Sequence, residues 1–551
     1  MASTPSVSSL HLSRPELAVF VSGVASMGLE ILAGRMIAPE FGSSIYTWGS
    51  IIGVFLAALS LGYHRGGKRA AVHASNRRLV GVFLVSALYV AGLIVFGDVL
   101  LQATSTLPLP SRFASIPGIV VLFGPPTYLL GYVSPYAAEL SGRSEIGAAS
   151  GHVYAVGTVG SIVGAFATTF LLIPALSINQ IALLFGLLSV GTAVAIAMPT
   201  VDRDEALWSL GITVALLVAA ATGSVGLGVG GDVVYETQTA YQELRVVDSG
   251  DTRTLYLDGQ PHSAMDKSDP TRHVFDYTSY FHAPYLFADD PDDIDRVLFV
   301  GGGGFTGPRV FLDTYPNVTV DVVEIDPEVV DVAKEYFRVE EGARLNVHTM
   351  DARQYLQQTD ETYDLIVLDA YKKDKVPFQL TTVEFMQLAS DRLDDDGVLF
   401  ANVISAPSGP ASQFYRAEYK TIREVFPQVY SFPTVGGVVV QNIEVVATKQ
   451  DTRLTQAELQ TRNRERDIGL DLSTQLASYR TDERTGDVPV LRDDKAPVDS
   501  LLDPMVGQRY VVEETDANES VSAGRATTKM SGGRTTTLAT PTAVVDSAYS
   551  N

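Results

Sequence analysis

The chain has 551 residues, no cysteine and a formal net charge of −23 at pH 7. So acidic a protein lacks the basic face that nucleic acids need, which excludes them as expected partners. Without cysteine there is no disulfide framework and no thiolate metal site, and the eight histidines lack ligand spacing such as H-E-x-x-H, so we expect no metal.

Residues 1–14 are rich in serine and are predicted to be disordered, and residues 15–230 are predicted to form a transmembrane helical domain. About seven apolar segments of spanning length follow one another there. So many in a row argue against the alternative that they are buried helices of a soluble protein. Gly157, Gly160 and Gly164 on the fifth segment would let helices approach closely in lipid. The predicted spans are Leu17–Ala38, Tyr46–Tyr63, Leu79–Leu101, Ile116–Leu140, Gly151–Leu176, Ile178–Met198 and Ala206–Val229.

Three charged residues, Glu30, Arg35 and Glu40, lie on or beside the first span. Charge within a membrane suggests function, and a mutual ion pair is its simplest form. The alternative is that Arg35 and Glu40 lie at the membrane surface, where Arg35 extends its charge toward water. We favour the second interpretation.

The charges between the spans bear on orientation. The most basic loop, from His64 to Arg78, is expected in the cytoplasm. With a cytoplasmic N-terminus, an odd number of spans would leave the C-terminal domain outside. That domain carries a nucleotide-binding pattern, a strand followed by four glycines, a helix and a strand that ends in Glu324, and such a domain belongs inside. We expect a multi-pass protein of the cell membrane with a cytoplasmic catalytic domain. Either the count is wrong by one, as with a re-entrant segment near Pro125 and Pro126, or the loop charges mislead.

Residues 231–295 change to an alternating pattern. Short strands are predicted at Val233–Tyr235, Tyr241–Val247 and Thr254–Leu257, which gives a small antiparallel sheet, and a helix is predicted from His273 to Leu286.

Residues 296–450 predict a doubly wound, Rossmann-like α/β domain, so the protein is expected to be multi-domain. A final pair of adjacent strands suggests the antiparallel seventh strand of a methyltransferase-type sheet. Residues 451–510 are polar and predicted to be mostly helical, and 511–551 to be disordered. The strands are predicted to begin at Val297 and to continue at Val318–Val323, Leu345–Thr349, Leu365–Leu368, Val398–Val403, Val429–Phe432 and Val438–Val446.

The first strand of this domain ends in four glycines, Gly301 to Gly304. Glycine permits a tight turn and lets a nucleotide approach bare backbone. The next strand ends in Glu324, whose carboxylate can accept hydrogen bonds from ribose hydroxyls. The pattern Gly302-x-Gly304-x-x-Gly307 also matches a dinucleotide-binding turn, so this stretch alone predicts only an adenosine-type ligand.

Acids follow three successive strands: Glu324, Asp351 and Asp369. Ligands of such sheets bind outside the carboxyl ends of the strands. A nicotinamide dehydrogenase needs only the first acid. An adenosyl-sulfonium site uses all three, on the ribose, near the adenine amine and facing the reacting group. Each could also be a helix cap, Asp351 above all.

Several motifs occur in a fixed order: Tyr241-Gln242-Glu243-Leu244, Leu257-Asp258-Gly259, the glycines, VEID, MDA, and Asp369 followed by Glu384-Phe385. In this order and spacing, from about Tyr235 to Thr448, the chain resembles the spermidine synthase family of aminopropyltransferases. Residues 29–63, which cover the end of the first span and the second span, and the run DKAPVD at 494–499 resemble its membrane-fused branch.

The resemblance implies that decarboxylated S-adenosylmethionine donates an aminopropyl group to an amine and leaves methylthioadenosine. Asp369 would be the catalytic base, and Tyr277 would position the amine. The remaining implied residues bind the cosubstrate: Gln242, Gly301, Gly302, Gly303, Glu324, Asp351 and Ala352.

This chain departs from the family's pattern where cationic amines are recognised. Gly304 replaces an acid after the glycines, Thr278 and Ser279 replace His-Glu, and Lys372 replaces a second acid, with Lys373 nearby. At roughly 1.5–3 kcal/mol for each charged hydrogen bond, these losses should weaken diamine binding by several kcal/mol.

Alternatives therefore stay open. The first is a methyltransferase that uses S-adenosylmethionine itself on an unknown, anionic or membrane-borne acceptor, which the lysines favour. The second is a non-catalytic membrane protein that binds an adenosyl ligand. The expected partners are a small-molecule amine and membrane lipid, with a homodimer left open.

Overall fold

The computed structural model describes residues 13–42, 44–107, 109–141, 146–198, 202–223, 231–373 and 375–515. The disorder predicted for the two ends falls almost entirely outside these residues. Within them, seven helical stretches are long and apolar enough to cross a membrane, which confirms the predicted bundle. These stretches are Arg14–Phe41, Ile45–His73, Asn76–Ser105, Arg112–Leu140, Ser150–Ala175, Ile178–Ala197 and Arg203–Thr222.

The fourth stretch is made of two helices that meet at a turn at Gly131 and Tyr132. Pro125 and Pro126 precede this turn, and proline lacks the backbone donor that continues a helix. Both helices belong to one candidate span, which leaves the number of spans odd. The helices are α1 Arg14–Phe41, α2 Ile45–His73, α3 Asn76–Ser105, α4 Ser111–Leu130, α5 Val133–Leu140, α6 Ile146–Ala167, α7 Ile173–Ala175, α8 Ile178–Ala197 and α9 Arg203–Gly223, with a π-helical turn, Thr168–Leu172, between α6 and α7.

Glycines on α6 bring this helix against the backbone of α1. A Cβ atom at Gly160 would lie 2.1 Å from the carbonyl oxygen of Phe20, and one at Gly164 would lie 2.4 Å from that of Val24. Helices in lipid associate through such close contact, because lipid supplies no hydrophobic drive between them. The predicted role of these glycines is confirmed.

Four antiparallel strands follow the bundle, in the order β1-β2-β3-β4 among the described residues. Asp258 and Gly259 form the two-residue turn between β3 and β4, and both have positive φ, of 50° and 74°, as in the hairpin turns that suit the strand twist. The fourth strand was not predicted, because Pro261 and its polar neighbours hide the alternation. The strands are β1 Asp232–Gln238, β2 Glu243–Ser249, β3 Thr252–Leu257 and β4 Gln260–Asp266.

The main sheet has seven strands within the described chain, in the order β10-β11-β9-β8-β5-β6-β7. Strands β5 to β9 run parallel, and β11 pairs antiparallel with β9 and β10, which confirms the predicted methyltransferase-type sheet. Its strands are β5 Arg296–Val300, β6 Thr319–Glu324, β7 Leu345–Thr349, β8 Tyr363–Leu368, β9 Leu393–Ser405, β10 Gln428–Pro433 and β11 Gln441–Thr448.

Helices cover both faces of this sheet. The helix predicted before it is 3₁₀, Asp276–Leu286, and it packs its aromatic rings into the core beneath β9 and β11. The α-helices of the domain are α10 Thr306–Thr314, α11 Pro327–Tyr336, α12 Ala352–Gln358, α13 Val383–Asp391 and α14 Gln413–Arg423.

The segment after the sheet is mainly loop, so the prediction that 451–510 is mostly helical is wrong. Its α-helices are α15 Gln456–Glu465 and α16 Val498–Leu502. Gly469 and Gly507 have positive φ, a conformation that a regular α-helix does not contain. Prolines elsewhere in the segment also prevent helix from continuing. The segment returns to the sheet, where the Val511 N–H donates to the Val440 carbonyl at 2.9 Å.

The bundle and the sheet domain touch, and the described residues up to Glu514 form one compact unit. Arg35 Nη2 of α1 donates to Gln238 Oε1 and to the Thr239 carbonyl, both at 2.9 Å. The Ile45 N–H at the start of α2 donates to Asp499 Oδ2 at 3.2 Å. Thus Arg35 joins the two domains, and among the described residues it forms this contact instead of the mutual ion pair that the sequence suggested. A position of Arg35 at the membrane surface stays a prediction.

Candidate active site

The carboxyl ends of β5 and β8 lie side by side and bring Asp369 against the glycine turn. The Asp369 N–H donates to the Val300 carbonyl at 2.9 Å. A Cβ atom at Gly301, where φ is +98°, would lie 2.4 Å from the Asp369 carbonyl oxygen. Only glycine fits this position, so Gly301 is required by the approach of the two strand ends.

Glu324 ends β6 and holds the glycine turn from the other side. Its Oε2 accepts the Gly302 N–H at 2.8 Å, and its Oε1 accepts the Asp326 N–H at 3.0 Å. Burial raises the pKa of Glu324, and these N–H donors oppose the rise. The carboxylate is therefore positioned beside the turn, and its predicted contact with a ribose stays a prediction.

Asp351 follows β7 and caps α12. Its Oδ1 accepts the Gln354 N–H at 3.0 Å, so the helix-cap interpretation is correct, and it leaves Oδ2 for a ligand. Ala352 is buried behind it, and the Met350 N–H donates to the Glu324 carbonyl at 3.0 Å. Glu324, Asp351 and Asp369 therefore share one edge of the sheet, as expected.

The Asp369 carboxyl lines a cavity and has a strongly altered proton affinity. Burial raises its pKa to about 7. Asn402 Nδ2 donates to Asp369 Oδ1 at 2.8 Å and opposes the rise, whereas the nearby charge of Glu324 adds to it. A carboxyl with a pKa near neutrality can take a proton from an amine and release it again, which is what a general base requires.

A chain of amides orients the donor to Asp369. Asn442 Nδ2 donates to Asn402 Oδ1 at 2.8 Å, and the Tyr510 hydroxyl donates to Asn442 Oδ1 at 2.7 Å. Because Asn402 Oδ1 accepts one bond, its NH₂ group is directed at Asp369. Sequence reasoning missed Asn402, Asn442 and Tyr510, although polar residues inside the apolar strands β9 and β11 were a visible signal.

Tyr277 lies in the same cavity and is held by the small sheet. Its hydroxyl donates to the His262 carbonyl at 3.0 Å. Burial raises the pKa of Tyr277, and the charge of Asp369 adds to this, so the phenol stays protonated. Burial also lowers the pKa of His262 to about 4, and its Nε2 has no hydrogen-bond partner among the described residues. His262 therefore presents a neutral ring to the cavity.

Glu444 is a second acid that sequence reasoning missed. It lies on β11 opposite Asn402, is 0% exposed, and neither oxygen has a hydrogen-bond partner within the described part of the chain. Burial raises its pKa well above the usual value, and the charges of Asp369 and Asp276 add to this. A buried carboxyl with no partner is costly. Glu444 is not among the residues that line the cavity, although its cross-strand neighbour Asn402 is, so contact with a ligand is a matter for proposal.

Lys372 occupies the position of the family's second acid and is already paired. Its Nζ lies 3.0 Å from Asp258 Oδ2 and also donates to Gln242 Oε1. Gln242 is buried, and its Nε2 donates to Asp326 Oδ2 at 3.3 Å. The predicted binding residue Gln242 is thus part of a network that ties β2 to the loop after β8.

Gly304 leaves no room for the acid that the family carries there. Its N–H donates to Ser263 Oγ at 2.9 Å, and a Cβ atom would lie 2.7 Å from Ser263 Cβ. The loss of the acid is therefore coupled to the residue at 263.

The cavity at Asp369 has a volume of about 540 Å³ and is lined by both domains. Of the predicted site residues it includes Asp369, Tyr277 and Gly303, whereas Glu324 and Gln242 lie outside its lining. The described residues contain no group of three or more His, Asp or Glu side chains able to hold a metal. The other predicted residues outside the lining are Gly301, Gly302, Asp351 and Ala352.

Together, these features are an α/β domain with acids at the carboxyl edge of its sheet and a carboxyl, Asp369, that lines a neighbouring cavity. Residues 278–447 match the family model of the spermine/spermidine synthase domain. A polyamine aminopropyltransferase of Vibrio vulnificus is 33% identical over 208 residues, which are 36% of this chain and 67% of that protein. The chain belongs to this family of transferases.

A longer relative extends the match into the bundle. Polyamine aminopropyltransferase 2 of Aquifex aeolicus is 22% identical over 464 residues, which are 78% of this chain and 87% of that protein. A match of that length cannot fit between residues 231 and 515. A probable spermidine synthase from Corynebacterium glutamicum has a similar structure, with a TM-score of 0.40, 19% identity, and coverage of 48% of this chain and 97% of that one.

Proposed function

We propose that the protein is a membrane-bound aminopropyltransferase of polyamine type. It would move the aminopropyl group of decarboxylated S-adenosylmethionine to an amine and release methylthioadenosine. The observation that carries the proposal is Asp369, a carboxyl with a pKa of about 7 that opens into a cavity beside the glycine turn. Family membership supports the choice of donor.

In this proposal the sheet edge binds the nucleoside. Glu324 would accept the ribose hydroxyls, and the free oxygen of Asp351 would accept the adenine amine above Ala352. The donor's sulfonium is already activated, so the protein mainly aligns it with the acceptor. Asp369 removes the proton that the amine must lose, and Tyr277, held on the His262 carbonyl, positions the amine.

Glu444 would replace the acids that this chain has lost. Burial raises its pKa well above the usual value, and neither oxygen has a hydrogen-bond partner among the described residues, so the neutral form is favoured when no cation is near. An alkylammonium would let it ionise and would satisfy its oxygens. This supplies one negative contact for a cationic substrate close to Asp369.

Methyl transfer from S-adenosylmethionine is the second candidate function. It draws on Lys372, Lys373 and Lys375, which would favour an anionic acceptor. The pairing of Lys372 with Asp258 weakens this argument, since that charge is already neutralised. The two transfers leave different products, methylthioadenosine and S-adenosylhomocysteine.

The test uses the purified full-length protein with each donor and a set of amines, with product analysis by mass spectrometry. We expect methylthioadenosine. Asp369→Asn should abolish turnover while calorimetry still detects methylthioadenosine binding. Glu418→Gln is a control, because Glu418 is also an internal acid of this domain, but it accepts a hydrogen bond from the Tyr371 hydroxyl and lies outside the cavity lining. Unchanged turnover in Asp369→Asn would refute the assignment, and unchanged cellular function would favour a non-catalytic binding protein.

We also propose that the protein is a multi-pass protein of the cell membrane, with lipid around the bundle and the catalytic domain in the cytoplasm, where the donor is made. The basic segment from His64 to Arg78 argues against a cytoplasmic catalytic domain, because basic segments are expected in the cytoplasm themselves. Arg35 and Ile45 contact the catalytic domain at one end of α1 and α2, so the far end of the 29-residue helix α2, with the basic residues, lies at the opposite face. We propose a homodimer as well, which a measurement of molecular mass in solution would test.

A further inference from the structure

The cavity that holds Asp369 is closed on one side by the membrane bundle. Ile31, Ala38 and Pro39 of α1 line it, as does Ile173 after the π-helical turn. A site for a small soluble diamine needs no wall from a spanning helix. These apolar side chains instead match a substrate that has an apolar part.

Trp48 indicates where the apolar side of the cavity lies relative to the membrane surface. It lies near the start of α2, is 40% exposed and packs on Gly34, where a Cβ atom would lie 2.5 Å from its ring. Tryptophan is enriched where lipid headgroups meet water. The bundle side of the cavity therefore lies at headgroup level, and a lipid could present its polar end there.

The lysines at the cavity disfavour a free polycation. Lys372, Lys373 and Lys375 line it together with Arg35, against the acids Glu243, Asp258 and Asp369. Lys372 is paired with Asp258, and Lys373 has no carboxylate partner among the ion pairs of the described residues. Like charges repel a diamine on its way to Asp369, whereas an anionic group beside Lys373 would be attracted.

We propose that the acceptor is a membrane lipid with a primary amine next to an anionic group, which reaches Asp369 sideways from the bilayer. This rests on the proposed function, because the lipid is the acceptor of the same transfer. The neutral amine nitrogen forms a bond to the propyl carbon of the donor. The carbon–sulfur bond breaks, its electron pair passes to sulfur, and the proton lost by nitrogen passes to Asp369.

The experiment places the full-length protein in lipid nanodiscs with decarboxylated S-adenosylmethionine. One sample contains phosphatidylethanolamine. Two others contain only phosphatidylcholine, which has no primary amine, with either soluble phosphoethanolamine or putrescine added. Methylthioadenosine and aminopropylated product are measured by mass spectrometry. We expect phosphatidylethanolamine to react at least roughly tenfold faster than either soluble amine at equal amine concentration, a difference of about 1.4 kcal/mol in transition-state binding.

The outcomes separate the two proposals. Reaction of putrescine without reaction of phosphatidylethanolamine would overturn the lipid acceptor and leave the proposed function intact. Equal reaction of phosphoethanolamine and phosphatidylethanolamine would show that the apolar wall is not used, and would also overturn it. No methylthioadenosine in any sample would refute the proposed function, and the lipid acceptor with it.

Two pairs of variants test the route. Thr169 lines the cavity from the π-helical turn, whereas Leu171, two residues on and 67% exposed, does not. Thr169→Trp should slow the lipid reaction, and Leu171→Trp should not. Lys373→Glu should weaken lipid turnover and improve that of putrescine, whereas Lys495→Glu, at an exposed site outside the cavity lining, should change neither. Equal effects within either pair would contradict the route.

Discussion

Asn402 is predicted to set the pH at which the enzyme works. It donates one hydrogen bond, of 2.8 Å, to Asp369 Oδ1, and this bond favours the ionised form of the carboxyl. In Asn402→Ala the bond is lost and the cavity stays. The pKa of Asp369 should then rise above its value of about 7.

The size of the rise follows from the bond. A hydrogen bond to a charged group contributes roughly 1.5–3 kcal/mol, and one pKa unit corresponds to about 1.4 kcal/mol, so the pKa should rise by about one to two units. Because the base acts when deprotonated, and about half of it is deprotonated at pH 7 in the wild-type protein, activity near neutral pH should fall by roughly five- to fiftyfold and should recover as the pH rises.

The assay is the initial rate of methylthioadenosine release as a function of pH. The control is Asn463→Ala: Asn463 is also buried and its Nδ2 donates to Asp471 Oδ1 at 2.7 Å, away from the cavity lining. It should lower stability without moving the pH profile. A rate lost equally at every pH in Asn402→Ala would refute the reasoning, since it would show a structural role only.

Three further predictions use the same site. Asp369→Asn should stabilise the fold above about pH 7 and should not do so below about pH 4. Burial raises the pKa of Asp369 to about 7 in the folded protein, so the wild-type protein loses stability as the pH rises between those values. Thermal unfolding measures the stabilisation by Asn, whose upper limit is roughly 4 kcal/mol. Glu444→Gln should raise the KM for the amine more than it lowers kcat, and unchanged kinetics would exclude Glu444 from binding. The natural chain has no cysteine, so a single cysteine can replace an exposed Ser or Asp of the catalytic domain and be labelled with a maleimide that does not cross membranes. If the domain is cytoplasmic, the label should react in disrupted cells and not in intact cells.

The sequence predicted the layout because each element is locally encoded. Apolar runs of spanning length predicted the seven spans, and short apolar strands with a glycine turn and a final pair of adjacent strands predicted a methyltransferase-type sheet. Long-range pairing was not visible in this way. Arg35 was interpreted within its own span, since its partners, Gln238 and Thr239, are about two hundred residues away.

From the residues alone, the candidate site was predicted where acids stand at or just after the ends of strands. Glu324, Asp351 and Asp369 do so, and sheet geometry brings such residues together. Tyr277 and Gln242 were predicted only through the resemblance to the family. Asn402 and Glu444 lie within strands, where an apolar neighbourhood suggests a structural role. Their function depends on the cross-strand pair that they form, and pairing of β9 with β11 is a tertiary fact.

The departures from the family's pattern are balanced by neighbouring residues, so restoring one acid should not restore diamine binding. Lys372→Asp would place a second carboxylate where Nζ now lies 3.0 Å from Asp258, and would also remove the donor to Gln242. We expect lower thermal stability and no gain in putrescine turnover, since removing one partner of a partly buried pair leaves the other charge unpaired. Lys372→Met combined with Asp258→Asn removes both charges and should recover most of the stability, which a double-mutant cycle measures. If Lys372→Asp alone were stable and turned over putrescine, Lys372 would be a simple block to diamines and its pairing with Asp258 would have no structural role.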